Sequence, residues 1–278
     1  MIRIIVDSAS DFQQAELKEK GMELVSLSIT LCDRTYLDGV DLDRDEFYET
    51  LQNTGEFPMT SQPSPQAFLD IFKDAKSKGD EVICILLSSG LSGTCQSATI
   101  AKGMADYENI YIVDSLTATY MIKILADYAY DLSMQGVSAK EIVEKIENLK
   151  SKVKVVAALD TLEYLSRGGR ISKTAAAIGN MANLKPLITV TEEGLVSMIG
   201  KALGKAKASG TLLKHLQGYK INTDFPVYSV YTYGTENCEA FEQKLAAEGY
   251  RITSRQQVGP TIGAHIGPGI FGVIFVAE

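Results

Sequence analysis

Metal-binding and redox residues are scarce in this sequence. Its two histidines, His215 and His265, form no HxxxH motif and no mixed His/Cys cluster, which argues against a zinc or other metal site. No cysteine belongs to a CxxC pair, a pattern that favours structural thiols over redox-active ones. The four scattered cysteines are Cys32, Cys84, Cys95 and Cys238.

Positive charge and long apolar runs are also lacking. Lys and Arg total 27 against 35 Asp and Glu, which leaves a net charge of −8 and a pI near 5.0. Because nucleic-acid binding needs a basic face, this balance argues against a nucleic-acid partner. No apolar run is long enough to cross a bilayer, and the first residues, MIRIIVDSASD, are typical of a strand rather than a signal peptide. We therefore expect a cytoplasmic protein without stable membrane insertion.

The pattern of strands and helices predicts an α/β protein of two domains, with a boundary near 151–155. Residues 1–153 alternate apolar strands with helices, which indicates βαβ units and a parallel sheet. Residues 154–278 contain a hairpin and further strands, which indicates an α/β domain with a mixed sheet. Strands are predicted at 2–6, 23–31, 81–87, 109–115, 226–233, 250–258 and 271–278, a hairpin at 187–200, and helices at 45–53, 64–79, 93–104, 117–135, 138–151, 205–221 and 236–250; segment 154–181 begins as a strand and becomes helical.

An unusual loop follows the apolar strand EVICILL. Residues 88–94, SSGLSGT, contain four hydroxyl side chains and two glycines before a predicted helix. Glycines at a strand-to-helix turn let a ligand approach the backbone, and the N-terminus of the helix offers free N–H groups to an anion. A tight turn with capping serines would explain fewer hydroxyls than are present. The loop has no lysine and no P-loop pattern, so the residues predict an anion held by neutral donors.

Ser92 in this loop could alternatively act as a nucleophile. The stretch Gly90-Leu91-Ser92-Gly93-Thr94 resembles a GxSxG nucleophile elbow whose second glycine comes one position early. His265 follows Ser92 in an order that serine hydrolases permit, although no orienting acid is evident. An esterase acting on acyl esters, with Ser92 as nucleophile and His265 as base, therefore stays open as the alternative.

Four other short segments carry polar residues that are candidates for a site. In Met59-Thr60-Ser61-Gln62-Pro63-Ser64-Pro65, a loop leading to a helix capped by Ser64 accounts for Ser64 and Pro65 but not for Thr60 and Ser61. In 259–269, GPTIGAHIGPG, His265 lies between glycine turns and is either structural or functional. Val-Asp-Ser ends two predicted strands, at 6–8 and 113–115, where parallel sheets bind ligands. Helix capping explains these aspartates equally well.

The sequence resembles the DegV family of bacterial proteins over nearly its whole length. Four strings occur in the order seen in that family: TSQPS at 60–64, SSGLSGT at 88–94, YLSRGGRIS at 164–172 and HIGPG at 265–269. The early Val-Asp-Ser and the Lys185-Pro186-Leu187 before the hairpin are also similar.

This resemblance implies a two-domain DegV-like fold that binds one long-chain fatty acid, such as palmitate, stearate or oleate, between its domains. It further implies that Thr60 and Ser92 hold the carboxylate with help from backbone N–H groups, and that the tail lies in an apolar tunnel. The resemblance places Ser61, Ser89, Gly93 and His265 around the head group. A non-enzymatic carrier without a cofactor is thus the preferred interpretation.

The resemblance also implies that some members present the fatty acid to a fatty acid kinase. Many members carry Lys-x-Arg-Gly after the hairpin, and that arginine is tied to kinase contact. This chain has Lys201-Ala202-Leu203-Gly204-Lys205, with Leu203 where the arginine is expected. Lys201 and Lys205 keep the segment basic, and Arg167 and Arg170 could extend it, but the departure at Leu203 puts the kinase partnership in question.

Overall fold

A computed structural model describes residues 1–172 and 183–278. The helical end predicted for segment 154–181 therefore lies largely outside the described residues. In the N-terminal half the elements are, in chain order, β1 (Ile2–Asp7), a 3₁₀ turn (Ser8–Ser10), α1 (Gln14–Lys20), β2 (Glu23–Val25), β3 (Ser28–Leu31), β4 (Arg34–Leu37), α2 (Arg44–Thr54), β5 (Met59–Ser61), α3 (Pro65–Lys78), β6 (Glu81–Leu86), α4 (Thr94–Ala105), β7 (Ile110–Asp114), α5 (Tyr120–Met134) and α6 (Ala139–Lys150).

The C-terminal half continues with a second set of strands and helices. Its described elements are β8 (Val153–Ala158), α7 (Glu163–Arg167), β9 (Leu184–Val190), β10 (Val196–Leu203), α8 (Lys205–Leu216), β11 (Tyr228–Tyr231), α9 (Glu236–Ala247), β12 (Ser254–Gln257), α10 (Pro260–Ile266) and β13 (Phe271–Val276). None of the helices in the described ranges is both long and apolar enough to cross a membrane.

The strands within residues 1–172 and 183–278 form three sheets. A parallel sheet has the order β2-β1-β6-β7, and a mixed sheet has the order β10-β9-β8-β13-β11-β12, in which only β11 and β12 pair in parallel. The α/β prediction with one parallel and one mixed sheet is confirmed. Strand β2 pairs with one edge of β1 and β6 pairs with the other edge, so the direction in which successive strands are added to the sheet reverses at β1. Ligands bind at such switch points in open sheets.

The third sheet was not predicted. Its order is β4-β3-β5, and both pairings are antiparallel. The single strand predicted over 23–31 is wrong, because the chain leaves the parallel sheet after Val25 and enters this small sheet at Ser28. The loop predicted around Thr60 is also corrected: Met59–Ser61 is a strand, and Thr60 pairs with Ile29.

Helix α5 lies between the two larger sheets. It contacts β1 and β6 on one side and β8 and β13 on the other. Its apolar residues belong to one core cluster that contains side chains from both halves of the chain, such as Ile85, Ile124 and Ile274. The boundary at 153/154 coincides with the first residue of β8 in the mixed sheet, but the division into two domains stays a prediction.

Polar contacts fasten the segment before α10 to the N-terminal half. The Arg44 guanidinium donates to the Gln257 carbonyl at 2.6 Å and to the Tyr120 hydroxyl at 2.8 Å, and lies 4.0 Å from the buried Asp11 carboxylate. Asp11 Oδ1 accepts the Gly259 N–H at 2.9 Å. Burial raises the pKa of Asp11 to about 7, while Arg44 opposes that rise. Arg44 therefore offsets part of the cost of burying this carboxylate.

Replacing Arg44 with alanine should destabilise the protein by about 3 kcal/mol, because a buried carboxylate loses its cationic neighbour and the partly buried Gln257 carbonyl loses one of its two donors. Urea unfolding followed by circular dichroism measures the change. Arg34→Ala is the control, since Arg34 is exposed and stacks only on Tyr36, and it should shift the unfolding free energy by no more than about 0.5 kcal/mol. Equal unfolding midpoints for the two variants would contradict this role of Arg44.

Candidate functional site

A cavity of about 360 Å³ lies between the parallel sheet and the mixed sheet. Most of its wall is apolar. Five strands or strand ends of the mixed sheet contribute alternate residues to one face, as expected where a sheet face is covered by another layer. The apolar lining residues are Leu27, Leu87, Leu91, Ala118, Met121, Val155, Ala157, Leu165, Ile188, Val190, Val196, Val230, Val258, Ile262, Ile266, Ile270 and Ile274.

The polar lining residues come from five separate parts of the chain. They are Thr60, Ser61, Gln62, Ser92, Gly93, Thr119, Arg170, Thr261 and His265. Two of these hydroxyls already donate their protons to buried aspartates. Thr119 donates to Asp11, and Thr261 donates to Asp38 at 2.5 Å. The other polar residues are linked by short contacts. Thr60 contacts His265, Gly93 packs against Gln62, and Arg170 lies near His265 and donates to the Leu91 carbonyl beside Ser92.

Thr60 and His265 are joined directly. Thr60 Oγ1 lies 2.7 Å from His265 Nε2, so strand β5 meets helix α10 at this point. His265 was predicted between glycine turns, but it lies in the last turn of α10, which begins at Pro260. Its Nδ1 is buried against Gly168, where a β-carbon would overlap the ring. Within the described residues Nδ1 has no hydrogen-bond partner.

Burial and, to a smaller extent, the positive charge of Arg170 together lower the pKa of His265 to about 4. The imidazole is therefore neutral at pH 7. A buried N–H without an acceptor costs more than an unpaired ring nitrogen, so we assign the proton to Nε2, which donates to Thr60 Oγ1. The Thr60 hydroxyl is then left to donate its own proton elsewhere.

Ser92 lies in the loop between β6 and α4. Its hydroxyl is 2.9 Å from Thr94 Oγ1 and accepts the Thr94 N–H at 3.3 Å, next to the first turn of α4. The first turn of a helix concentrates free N–H groups and partial positive charge. Gly93 follows, and a β-carbon there would overlap the Gln62 amide. The glycine thus allows the TSQPS segment to pack against this loop.

Arg170 takes a position that the sequence did not predict. It was predicted to belong to a partner surface, but its half-buried guanidinium lines the cavity and donates to the Leu91 carbonyl at 3.1 Å and to the Gly168 carbonyl. The predicted residues Thr60, Ser61, Gly93, Ser92 and His265 thus all line one cavity. Ser89 does not: it is exposed, and its N–H donates to Asp114.

The other predicted basic residues lie on the surface. Arg167 is exposed, pairs with Glu163 at 2.7 Å and stacks over Phe57. Lys201 and Lys205 are exposed and form no ion pair in the part of the chain that the structure describes. Leu203 lies between them and is 55% exposed.

No cluster of His, Cys, Asp and Glu among the described residues could hold a metal ion. The polar lining residues that sequence reasoning did not assign to the site are Gln62, Thr119, Thr261 and Arg170. Gln62 and Arg170 lie inside the quoted TSQPS and RGGR strings, so only their orientation was hidden. Thr261 likewise lies inside the quoted 259–269 segment, whereas nothing in the local pattern marks Thr119.

These features define a class of α/β protein with two large sheets and a mostly apolar cavity between them. The DegV family model, described as a family of uncharacterised proteins, matches residues 1–278. A DegV domain-containing protein of Caldanaerobacter subterraneus subsp. tengcongensis is 36% identical over 277 residues, which cover 99% of this chain and 98% of that protein. This chain belongs to the DegV family.

Solved structures are similar over the full length. A fatty-acid-binding DegV family protein from Thermus thermophilus has a TM-score of 0.88 and 30% identity, with 100% of this chain and 99% of that chain covered. A stearic-acid-binding protein from Eubacterium ventriosum has a TM-score of 0.89 and 27% identity, with 100% and 98% covered. The predicted family and fold are therefore confirmed.

The neutral state of His265 predicts a pH effect on stability. An unfolded histidine binds a proton below about pH 6.5, whereas folded His265 does so only near pH 4. The unfolded state thus binds more protons between these values, and the unfolding free energy falls as the pH drops through this window. His265→Gln keeps an N–H donor for Thr60 without the titration. From pH 7 to pH 5, wild type should lose about 1–2 kcal/mol more than this variant.

Urea unfolding at the two pH values measures this difference. The quantity compared is the change in unfolding free energy between the two pH values in each protein. The buried aspartates contribute equally to this change in both proteins, so their titration does not affect the difference. A parallel loss of stability in the two proteins would mean that His265 does not stay neutral in the folded state.

Proposed function

We propose that this protein binds one long-chain fatty acid between its two halves, with the carboxylate at the polar group around Thr60 and Ser92. The observation that carries the proposal is a cavity that is apolar over most of its wall and polar in one connected part. An amphiphile with one anionic end matches that division. Relatives of the same fold that bind fatty acids support this ligand class.

The tail supplies most of the binding free energy in this proposal. About fifteen methylenes leaving water contribute roughly 12 kcal/mol at about 0.8 kcal/mol each. A charge-assisted hydrogen bond to the carboxylate adds about 1.5–3 kcal/mol. The polar group therefore determines mainly the orientation of the ligand, while the apolar wall determines that a long chain binds at all.

The donors at the polar end suit a carboxylate. The proton assignment at His265 leaves the Thr60 hydroxyl as a donor, and Ser92 lies beside the first N–H groups of α4. Ser61 and Gly93 border the same space. Arg170 adds a positive charge whose guanidinium is held by two carbonyls, so it favours an anion without depending on a direct ion pair.

The double variant Thr60→Ala with Ser92→Ala should bind palmitic acid about a hundredfold more weakly than wild type, because two charge-assisted hydrogen bonds are lost. Isothermal titration of delipidated protein measures the dissociation constant. The matched control is Thr50→Ala with Ser77→Ala, which removes a threonine and a serine hydroxyl from helices outside the cavity.

Lipid extraction and mass spectrometry of purified wild type test the ligand class separately. A co-purified long-chain fatty acid together with unchanged affinity in the double variant would remove Thr60 and Ser92 from the head-group role. Absence of any fatty acid, in the purified protein and in titration, would contradict the proposed function itself.

Serine hydrolysis is less well supported as a function. His265 Nε2 contacts Thr60, whereas the Ser92 hydroxyl contacts Thr94, so no hydrogen bond joins the nucleophile and base that hydrolysis requires. We therefore propose a carrier without catalytic activity. A fluorophosphonate probe separates the two functions, since stoichiometric labelling of Ser92 would support the hydrolase and leave the carrier without support.

We also propose that the carrier presents its fatty acid to a fatty acid kinase, as the family resemblance implies. The surface available for this contact is the basic segment with Lys201 and Lys205, whose ammonium groups are exposed and unpaired among the described residues. Arg167 can add to it only by leaving Glu163. The positive charge of Lys201 and Lys205 would attract an acidic partner. Leu203 stands where many family members have an arginine, so this chain offers an apolar side chain there in place of a third positive charge.

Acyl phosphate formation by a purified fatty acid kinase with ATP, oleic acid and this protein tests that contact. Lys201→Glu with Lys205→Glu should lower the rate several-fold, because the attraction becomes repulsion. Lys18→Glu with Lys140→Glu makes the same change of charge at exposed positions elsewhere. Equal rates for the two double variants would exclude this segment as the contact.

A further inference from the structure

The two Val-Asp-Ser strings lie on either side of the loop that carries Ser92. Asp7 is the last residue of β1, and Asp114 is the last residue of β7. Strand β6 pairs in parallel with both β1 and β7, so these aspartates flank the carboxyl end of β6. The loop of residues 87–93 leaves the sheet at that point.

Both aspartates accept hydrogen bonds from the backbone of this loop. Asp7 is 0% exposed, and its Oδ2 accepts the Leu87 N–H at 2.6 Å while its Oδ1 accepts the Ala9 N–H at 3.0 Å. Asp114 Oδ1 accepts the Ser89 N–H at 3.1 Å and also the Leu116 N–H at 3.0 Å. Each carboxylate thus stabilises its own turn and also holds the neighbouring loop.

Ser88 lies between the two held amides and determines where Ser92 is placed. Its N–H donates to the Thr117 carbonyl at 3.0 Å, so three successive loop amides have fixed acceptors. Its carbonyl accepts the N–H groups of Leu91 and Ser92, both at 3.0 Å, which closes a tight turn. The position of Ser92 therefore follows from the position of Ser88.

We propose that Asp7 and Asp114 are positioning residues that hold the loop 87–93 from both sides and thereby aim Ser92 at the polar end of the cavity. Neither aspartate lines the cavity, so neither contacts the ligand. The inference rests on the proposed fatty-acid site for its functional consequence. The placement of the loop itself can be tested without a ligand.

The two aspartates differ in a way that sharpens the test. Both oxygens of Asp7 accept N–H groups, so in Asp7→Asn one donor N–H faces an amide NH₂ and loses its acceptor. Asp114 accepts the N–H groups of Ser89 and Leu116 with the same oxygen, Oδ1, so Asp114→Asn retains the acceptor. Asp114→Ala removes it.

The readout is the ratio of affinities for palmitic acid and hexadecan-1-ol, which share a tail but differ in head group. Asp7→Asn and Asp114→Ala should lower this preference for the acid about tenfold, since a charge-assisted bond from Ser92 is misaligned. Asp114→Asn should stay within about twofold of wild type. Asp80→Asn is the control, because Asp80 is buried beside the opposite end of β6 and contacts the N-terminal ammonium.

Amide hydrogen exchange of the ligand-free variants provides the second readout. Asp7→Asn and Asp114→Ala should increase exchange in residues 87–93, whereas Asp114→Asn and Asp80→Asn should not. Wild type that binds neither compound would contradict the proposed function, and the exchange data would still decide the positioning role. Wild-type exchange and an unchanged acid preference in both Asp7→Asn and Asp114→Ala would overturn the inference.

Discussion

The structure depends on covering the apolar face of the mixed sheet. Strands β8, β9, β11 and β13 direct alternate apolar side chains toward the N-terminal half, and helix α5 covers only part of that face. Protein interiors are usually packed without large voids. A cavity of about 360 Å³ in this position leaves apolar surface that a hydrocarbon chain can cover. Burial of such a chain would bind the two halves together as well as bind the ligand.

Several polar contacts between the halves lie around this cavity, whereas the contact between Thr60 and His265 lies in its lining. Residues 257–261 are held by Arg44, Asp11 and Asp38, and the hairpin carbonyl of Gly194 accepts the Ser88 hydroxyl at 2.8 Å. These contacts satisfy buried polar atoms that would otherwise be costly. They leave the group around Thr60 and His265 as the part of the lining that can serve a ligand. Arg170 differs, since it both joins loops and brings charge to the cavity.

Local patterns predicted most of the strands and the main helices, and they marked the hydroxyl-rich segments around Thr60 and Ser92. The family resemblance added His265 to that group, and all three residues line the cavity. Local patterns could not predict the three-stranded sheet, since the pairing of Thr60 with Ile29 joins residues 31 positions apart in the sequence. The orientation of Arg170 was hidden for a similar reason. Its partner, the Leu91 carbonyl, is distant in sequence, and an arginine in a glycine-rich string looks solvent-exposed. Long-range partners decide such positions, and single-sequence patterns do not contain them.

The loop 88–94 has so many small and hydroxylated residues because it meets several demands at once. Ser88 and Gly90 face the hairpin of the mixed sheet, where a larger residue at Gly90 would press on the Gly194 carbonyl and on Leu195. Ser92 and Gly93 face the cavity and the Gln62 amide. One side of the loop therefore joins the two halves while the other presents donors. A substitution at Ser88 or Gly90 that shifted the Ser88 carbonyl would therefore also shift Ser92 at the cavity, because the Ser92 N–H donates a hydrogen bond to that carbonyl.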